Sequence, residues 1–280
     1  MTAPITLGQF HTLEVAELVE GGLLLDAGQV DLFLPTHLAP AGVRVGDELE
    51  VFIYSDGEGA PQATTREPAG VLGEAAFLEC VAVTRGGAYL AWGIPKDLLV
   101  PRDEREEPMV EGRRYVAVIT LDGRGERLIA STKVSRHLDY DVAHLAVDQE
   151  VEVLVYGHID AGTQVVVERR HRGLIHHTKV HRELAIGSVH RGFIRNIRED
   201  NRLDIELTRR GAEGSEDAQA VLLQALERAG GSLPLHDKSD PSEISRLLGI
   251  SKKAFKRAAG GLYKARRIVI HDDSIALVEH

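Results

Sequence analysis

A single cysteine, Cys80, excludes an internal disulfide and fits a reducing compartment. It sits in an apolar run, Ala75 to Val83, where a buried core thiol is expected. The opening residues, MTAPITLGQFHTLEV, hold neither a basic stretch nor an apolar one, so no secretory signal is expected. No apolar run approaches the roughly 20 residues that cross a bilayer. A cytoplasmic location is therefore the expectation. Tryptophan occurs once, at Trp92, and aromatic residues make up 5% of the chain. An extended aromatic platform is thus excluded, and each aromatic has to be considered singly. An overall basic excess is also missing. The net charge is −10, which argues against a protein that simply coats nucleic acid. The deficit is local, however. Residues 1–67 carry 2 Lys+Arg against 11 Asp+Glu, whereas residues 68–138 balance at 10 and 10. A polyanionic partner would favour the later units.

Glycine is abundant, and its placement reveals a repeat. The glycines Gly22, Gly87 and Gly162 head three similar stretches, GLLLDAGQVDLFLP, GAYLAWGIPKDLLVP and GTQVVVERRHRGLIH. An apolar strand precedes each: Leu13 to Val19, Phe77 to Val83 and Val151 to Val155. A second strand follows each glycine, and a short third strand ends at Pro35, Pro101 or His176. Eleven residues further on stand Gly46, Gly112 and Gly187, each opening a turn into an alternating strand. The last strand of each unit ends in Ala63-Thr64-Thr65-Arg66, Ala130-Ser131-Thr132-Lys133 or Leu207-Thr208-Arg209-Arg210. Five short strands in about 65–75 residues fit an OB-type Greek-key barrel, whose closure removes exposed edges. The glycines are expected where a turn needs positive φ or two backbones approach closely.

The period changes after AEGSED. Asp217 to Ala229 has apolar residues at helical spacing, with Ser215 as the expected N-cap. Asp240 or Ser239 then caps a helix from Pro241 to Leu248, ended by Gly249. Ser251 caps a further helix to about Lys264, in which Gly260-Gly261 is expected to mark a kink. Strands Arg267 to His271 and Ser274 to Val278 follow, joined by Asp272-Asp273. Helix, helix-turn-helix and hairpin make a winged-helix plan. The expected fold is mainly β with a C-terminal α+β domain. Three tandem five-stranded OB-type barrels occupy 1–67, 68–138 and 139–213, and the winged helix occupies 214–280.

Two sets of motifs carry a resemblance. GLIHHTKV, followed by IGSVHRGFIRNIREDNRLDIELTRR, resembles the RNA-binding barrel first defined in ribosomal protein S1. The second unit matches it in GAY, LLVP and LIASTK, and the first unit is more distant. DKSDPSEIS, GISKKAFKRA and LYKARRI resemble the C-terminal signature of the conserved virulence factor B (CvfB, YitL-like) family. The resemblance covers essentially the whole chain. It implies a bacterial RNA-binding regulatory protein in which barrels and winged helix both contribute to binding.

Single-stranded RNA binding on a barrel needs π-faces for bases and cations for phosphates. Tyr89 and Trp92 are the stacking candidates, although strand alternation places them on opposite faces. The equivalents of Tyr89 are Leu24 in the first unit and Gln164 in the third. The third unit instead offers the cluster Arg169, Arg170, His171 and Arg172, together with the strand-end His176. Lys133 ends the last strand of the second unit. In the winged helix Lys252, Lys253, Lys256, Arg257 and Lys264 lie on the expected recognition helix, and Arg266 and Arg267 extend the patch. Packing or simple solvation is the competing reading for each of these residues. His171, His176, His177 and His181 lack a cysteine or a carboxylate at metal-ligand spacing, so no metal is expected, nor any cofactor. No GxSxG, HExxH, CxxC or P-loop occurs, and no enzyme is expected. The expected partner is single-stranded RNA; the alternative is a winged-helix DNA-binding regulator with accessory barrels.

Overall fold

The computed structural model describes residues 5–28, 30–177, 184–207 and 216–278. Strands β1 (Phe10–Val19), β2 (Gly22–Asp26), β3 (Asp31–Pro35), β4 (Glu48–Ser55) and β5 (Pro61–Thr64) form the first sheet, in the order β3-β2-β1-β4-β5. The second holds β6 (Ala75–Val83), β7 (Gly87–Ala91), β8 (Leu98–Pro101), β9 (Arg114–Leu121) and β10 (Leu128–Ser131) in the same topology. The third, β11 (Glu150–Ile159), β12 (Gly162–Val167), β13 (His171–His176), β14 (Val189–Ile197) and β15 (Leu203–Glu206), closes through a parallel β13–β15 pair. The first two sheets curl nearly to closure, with β3 approaching β5 and β8 approaching β10. Among the described residues no helix is long and apolar enough to cross a membrane.

The repeated glycines have one cause. Gly22 pairs with Pro35, Gly87 with Pro101 and Gly162 with His176. A Cβ at these glycines would lie 2.3, 2.7 and 2.1 Å from the carbonyl oxygens of Leu34, Val100 and Ile175. Only a hydrogen fits between those backbones. The second glycine set has a different cause. Gly46, Gly112 and Gly187 take φ of 89°, 80° and 83° and donate their N–H to Val15, Cys80 and Val155. Each first strand also carries a β-bulge at the same place, between Val15 and Glu17, Cys80 and Ala82, and Val155 and Gly157. A bulge bends the strand around the barrel. Cys80 is fully buried.

Neighbouring barrels share side chains. Phe52 of the first barrel belongs to the apolar cluster of the second, where it meets Trp92. Trp92 lies one residue beyond β7, is 3% exposed, and donates its indole N–H to the Lys96 carbonyl at 2.6 Å. The expectation that Trp92 stacks on bases is therefore corrected: it fills the joint between barrels one and two. Lys96 in turn donates to Ser55 O, and Leu128 N–H donates to Ser55 Oγ. Between barrels two and three, Ala75, Val116, Val118, Val134 and Leu138 pack against Leu154 and Val166. Burying a Val- or Leu-sized side chain contributes about 1.5–3 kcal/mol, so this seam holds the two barrels firmly.

The C-terminal unit runs α1 (Glu216–Arg228), β16 (Ser232–Leu233), α2 (Pro241–Leu248), α3 (Lys252–Lys264), β17 (Ile268–Ile270) and β18 (Ile275–Leu277). Asp240 caps α2, Gly249 ends it in the left-handed region, and Ser251 caps α3. The Ser215 cap and the Thr208-Arg209-Arg210 pattern fall outside the described residues. The short β16, which pairs with β18, has no counterpart in the sequence pattern. α3 runs unbroken through Gly260 and Gly261, so the two glycines do not end the helix. A Cβ at Gly261 would lie 2.3 Å from the Gln219 amide, so this glycine admits the close approach of α1.

Candidate nucleic-acid interface

The outer face of barrel three is built by register. Gln164 on β12 stands between Gly157 on β11 and Leu174 on β13. Its amide oxygen approaches to 2.9 Å of where a Gly157 Cβ would sit, so the side chain lies over the glycine. Two positions along, Arg172 pairs with Val166. Ile159, Gln164, Arg172, Gly173, Leu174, Arg198 and Arg202 line a small groove of about 30 Å³. Apolar floor, one amide and three guanidinium groups are the chemistry that base faces and phosphates need.

A charge network closes one end of the groove. His176 Nε2 lies 3.1 Å from Asp204 Oδ1, and Arg198 reaches the same oxygen through Nη2 at 2.6 Å and Nε at 3.0 Å. Asn196 Nδ2 donates to the other carboxylate oxygen at 3.4 Å. Burial pushes the Asp204 carboxyl up, but the hydrogen bonds from Arg198, His176 and Asn196 outweigh it and hold the pKa below the usual range. The carboxylate thus stays ionised and holds the Arg198 guanidinium and the His176 ring in place. Arg202 pairs with Asp200 across the β14–β15 turn. Asn201, at φ 59°, donates to the Tyr140 carbonyl at 2.9 Å, which places the half-exposed Tyr140 beside the groove. Tyr156 lies under Arg172; its pKa is raised, first by burial, with the nearby guanidinium opposing. Arg172 has no carboxylate at salt-bridge distance among the described residues.

The four-residue basic cluster expected at 169–172 does not act as one. Glu168 and Arg169 both take positive φ in the β12–β13 turn, which breaks the strand alternation. The Arg169 guanidinium donates to Ala69 O and lies 3.8 Å from Glu74, and Arg170 donates to Glu74 at 3.3 Å. Both therefore tie barrel three to barrel two. His171 is 2% exposed, and burial lowers its pKa. Arg172 alone of the four lines the groove. His176 joins it; His181 lies outside the described residues, and no metal-ligand cluster occurs among the described ones.

Elsewhere the expected residues divide. Tyr89, half-buried on β7, pairs with Leu99 and Ala82 on the second barrel's outer face. Lys133 donates to the Asp103 carbonyl at 2.5 Å, so its ammonium is engaged within barrel two. Lys252 is half-buried and donates to Ser239 O at 2.8 Å, tying α3 to the segment before α2, a structural duty where nucleic-acid contact was expected. Lys256 pairs with the exposed Asp237 at 3.0 Å, a solvent-screened pair worth about 0.2–1 kcal/mol that a phosphate can replace. Lys253, Arg257, Lys264, Arg266 and Arg267 are exposed on α3 and the turn into the wing. The sequence reading missed Arg198, Arg202, Asp204 and Tyr140 as site residues. For the first three the signal was the stretch IREDNRLD, a turn flanked by alternating charges; Tyr140 gave none.

Comparison with known proteins accords with this architecture. Residues 7–66 match the S1 domain family model, and residues 220–277 match the CvfB-like winged helix domain. The chain is 28% identical over 270 residues to "Uncharacterized protein YitL" of Bacillus subtilis, covering 93% of this chain and 90% of that one. It is 26% identical over 246 residues to "Conserved virulence factor B" of Staphylococcus aureus, covering 85% and 81%. A crystal structure from Streptococcus pneumoniae, described as a multidomain protein with nucleic acid binding domains, is 25% identical over 97% of this chain and 98% of that one, with a TM-score of 0.46. The chain is thus similar to the conserved virulence factor B and YitL proteins over most of its length, with a first barrel that matches the S1 domain and a C-terminal unit that matches the CvfB-like winged helix.

Proposed function

We propose that this protein is a non-enzymatic binder of single-stranded RNA that acts in post-transcriptional regulation in the cytoplasm. The observation that carries the reading is the barrel-three groove. There Arg172, which has no carboxylate partner among the described residues, stands beside Gln164 and Leu174, and the His176–Asp204–Arg198 network fixes the groove's end. Planar guanidinium groups take phosphates and stack on bases, and an amide hydrogen-bonds base edges. The groove is small, about 30 Å³, and the first barrel adds only 2 Lys+Arg, so one barrel alone binds weakly. The exposed cations of α3 supply a second contact on the same chain, and linked sites raise affinity without new contacts. Such binding needs no catalytic group, and the groove offers no nucleophile paired with a base.

Those same α3 cations favour one alternative, insertion of the helix into a DNA major groove. Fluorescence anisotropy with a labelled single-stranded oligoribonucleotide and a matched DNA duplex, each across a salt series, separates the two. RNA bound more tightly at every salt concentration is the expected result. Equal or tighter duplex binding overturns it.

A further inference from the structure

We propose that the outer face of barrel one is a docking surface for a basic polypeptide segment that carries apolar side chains. The inference goes beyond the RNA reading and stands without it. It rests on the same register that builds the barrel-three groove. Leu24 pairs with Phe33 where barrel three pairs Gln164 with Leu174. Asp26 pairs with Asp31 where barrel three pairs Val166 with Arg172. The arginine position of the RNA-facing barrel is therefore an aspartate here, and the amide position is a leucine.

The apolar part has two pieces that meet at Gly22. Phe33 is 42% exposed, and its ring lies over Gly22, where a Cβ would come within 2.6 Å of it. Beyond Gly22 opens a pocket of about 370 Å³ lined by Leu18, Leu23, Ala39, Pro40 and Val43, with Leu18 52% exposed. An exposed aromatic over Gly22 with a mostly apolar pocket beyond the same glycine offers anchor points for apolar side chains. The charge beside it is of one sign. Glu14 pairs with Asp26, and Asp26 with Asp31, so three exposed carboxylates stand side by side across three strands. Like charges directly opposite are destabilising. No cation reaches them among the described residues; Asp26 accepts only the Gly28 N–H. Glu17 and Glu20 add to the rim beside Leu18. A polyanion is repelled by this face, whereas lysine or arginine side chains relieve the row and apolar neighbours fill the pocket.

The test uses the full chain and a fluorescein-labelled peptide of mixed lysine and leucine, with its glutamate-for-lysine counterpart as control. Tight binding of the basic peptide alone is expected. Phe33→Ala and the double variant Asp26→Asn with Asp31→Asn should each weaken it about tenfold, a typical loss for an interface anchor, while single-stranded RNA affinity stays unchanged. The substituted side chains are exposed, and melting temperatures verify folding. Loss with the charge variant but not with Phe33→Ala reduces the effect to general electrostatics and overturns the proposal. Unchanged peptide binding in both variants, or altered RNA affinity in either, overturns it as well. So does a wild-type dimer, seen by sedimentation, that the charge variant dissociates, since the occupant is then a second copy.

Discussion

The indole of Trp92 meets the ring of Phe52 edge to face, centroids 5.6 Å apart and planes at 80°, with one ring from barrel two and the other from barrel one. Phe10 continues the stack on the far side of Phe52 at 5.3 Å. Aromatic pairs of this geometry add about 0.5–1.5 kcal/mol beyond burial.

Trp92→Ala should therefore destabilise the protein by about 3–5 kcal/mol, the usual cost of truncating a large buried aromatic. It should leave RNA affinity nearly unchanged at temperatures where both proteins are folded. Urea unfolding and anisotropy together check this. A full loss of RNA binding without loss of stability would return Trp92 to the interface.

The repeated glycines make a sharper stability prediction. A Cβ at Gly162 would lie 2.1 Å from Ile175 O, so Gly162→Ala must push two paired strands apart. The expected cost exceeds about 3 kcal/mol, which is large for any single substitution. Gly21→Ala is the control: φ is 83° but nothing lies within 4 Å, so only about 1 kcal/mol of backbone strain is expected. Comparable costs for the two would remove close approach as the cause.

His171 makes stability depend on pH. Burial lowers its pKa from the ordinary value of 6.5, and it faces His144 at 5.0 Å, the Asp139 carbonyl and Arg170. The unfolded chain then binds the proton more readily than the folded one. The His171 contribution is fully present above pH 6.5 and is lost as pH falls below it. Thermal melts from pH 7.5 to 5.5 should show this decline, and His171→Gln should flatten it. Identical pH profiles would show that the imidazole carries no linkage.

Strand ends and helix caps were legible in the sequence because each follows from local backbone geometry. The strand ends at Pro35, Pro101 and His176 and the caps Asp240, Ser251 and Gly249 stand where the pattern placed them. What was not legible depends on packing between units. Trp92 lies just past a strand end, and only the neighbouring barrel decides which way it turns. Arg169 and Arg170 read as one patch with Arg172, until positive φ at Glu168 and Arg169 turns them toward Glu74. Gly261 reads as a helix breaker until Gln219 of another helix occupies the space it leaves. Arg198 meets His176 both directly, at 3.0 Å, and through Asp204, a partner 28 residues from that histidine.

Arg172 tests the central claim most directly. Single-stranded RNA affinity is measured over a salt series for the wild type, Arg172→Ala and Arg172→Lys, with melting temperatures alongside. Arg172→Ala should weaken binding about tenfold and lower the salt slope by about one phosphate contact. Arg172→Lys should keep the slope but lose part of the affinity, because an ammonium cannot bind in a planar, forked manner. Unchanged affinity and slope in Arg172→Ala, with the fold intact, would contradict a nucleic-acid interface on barrel three.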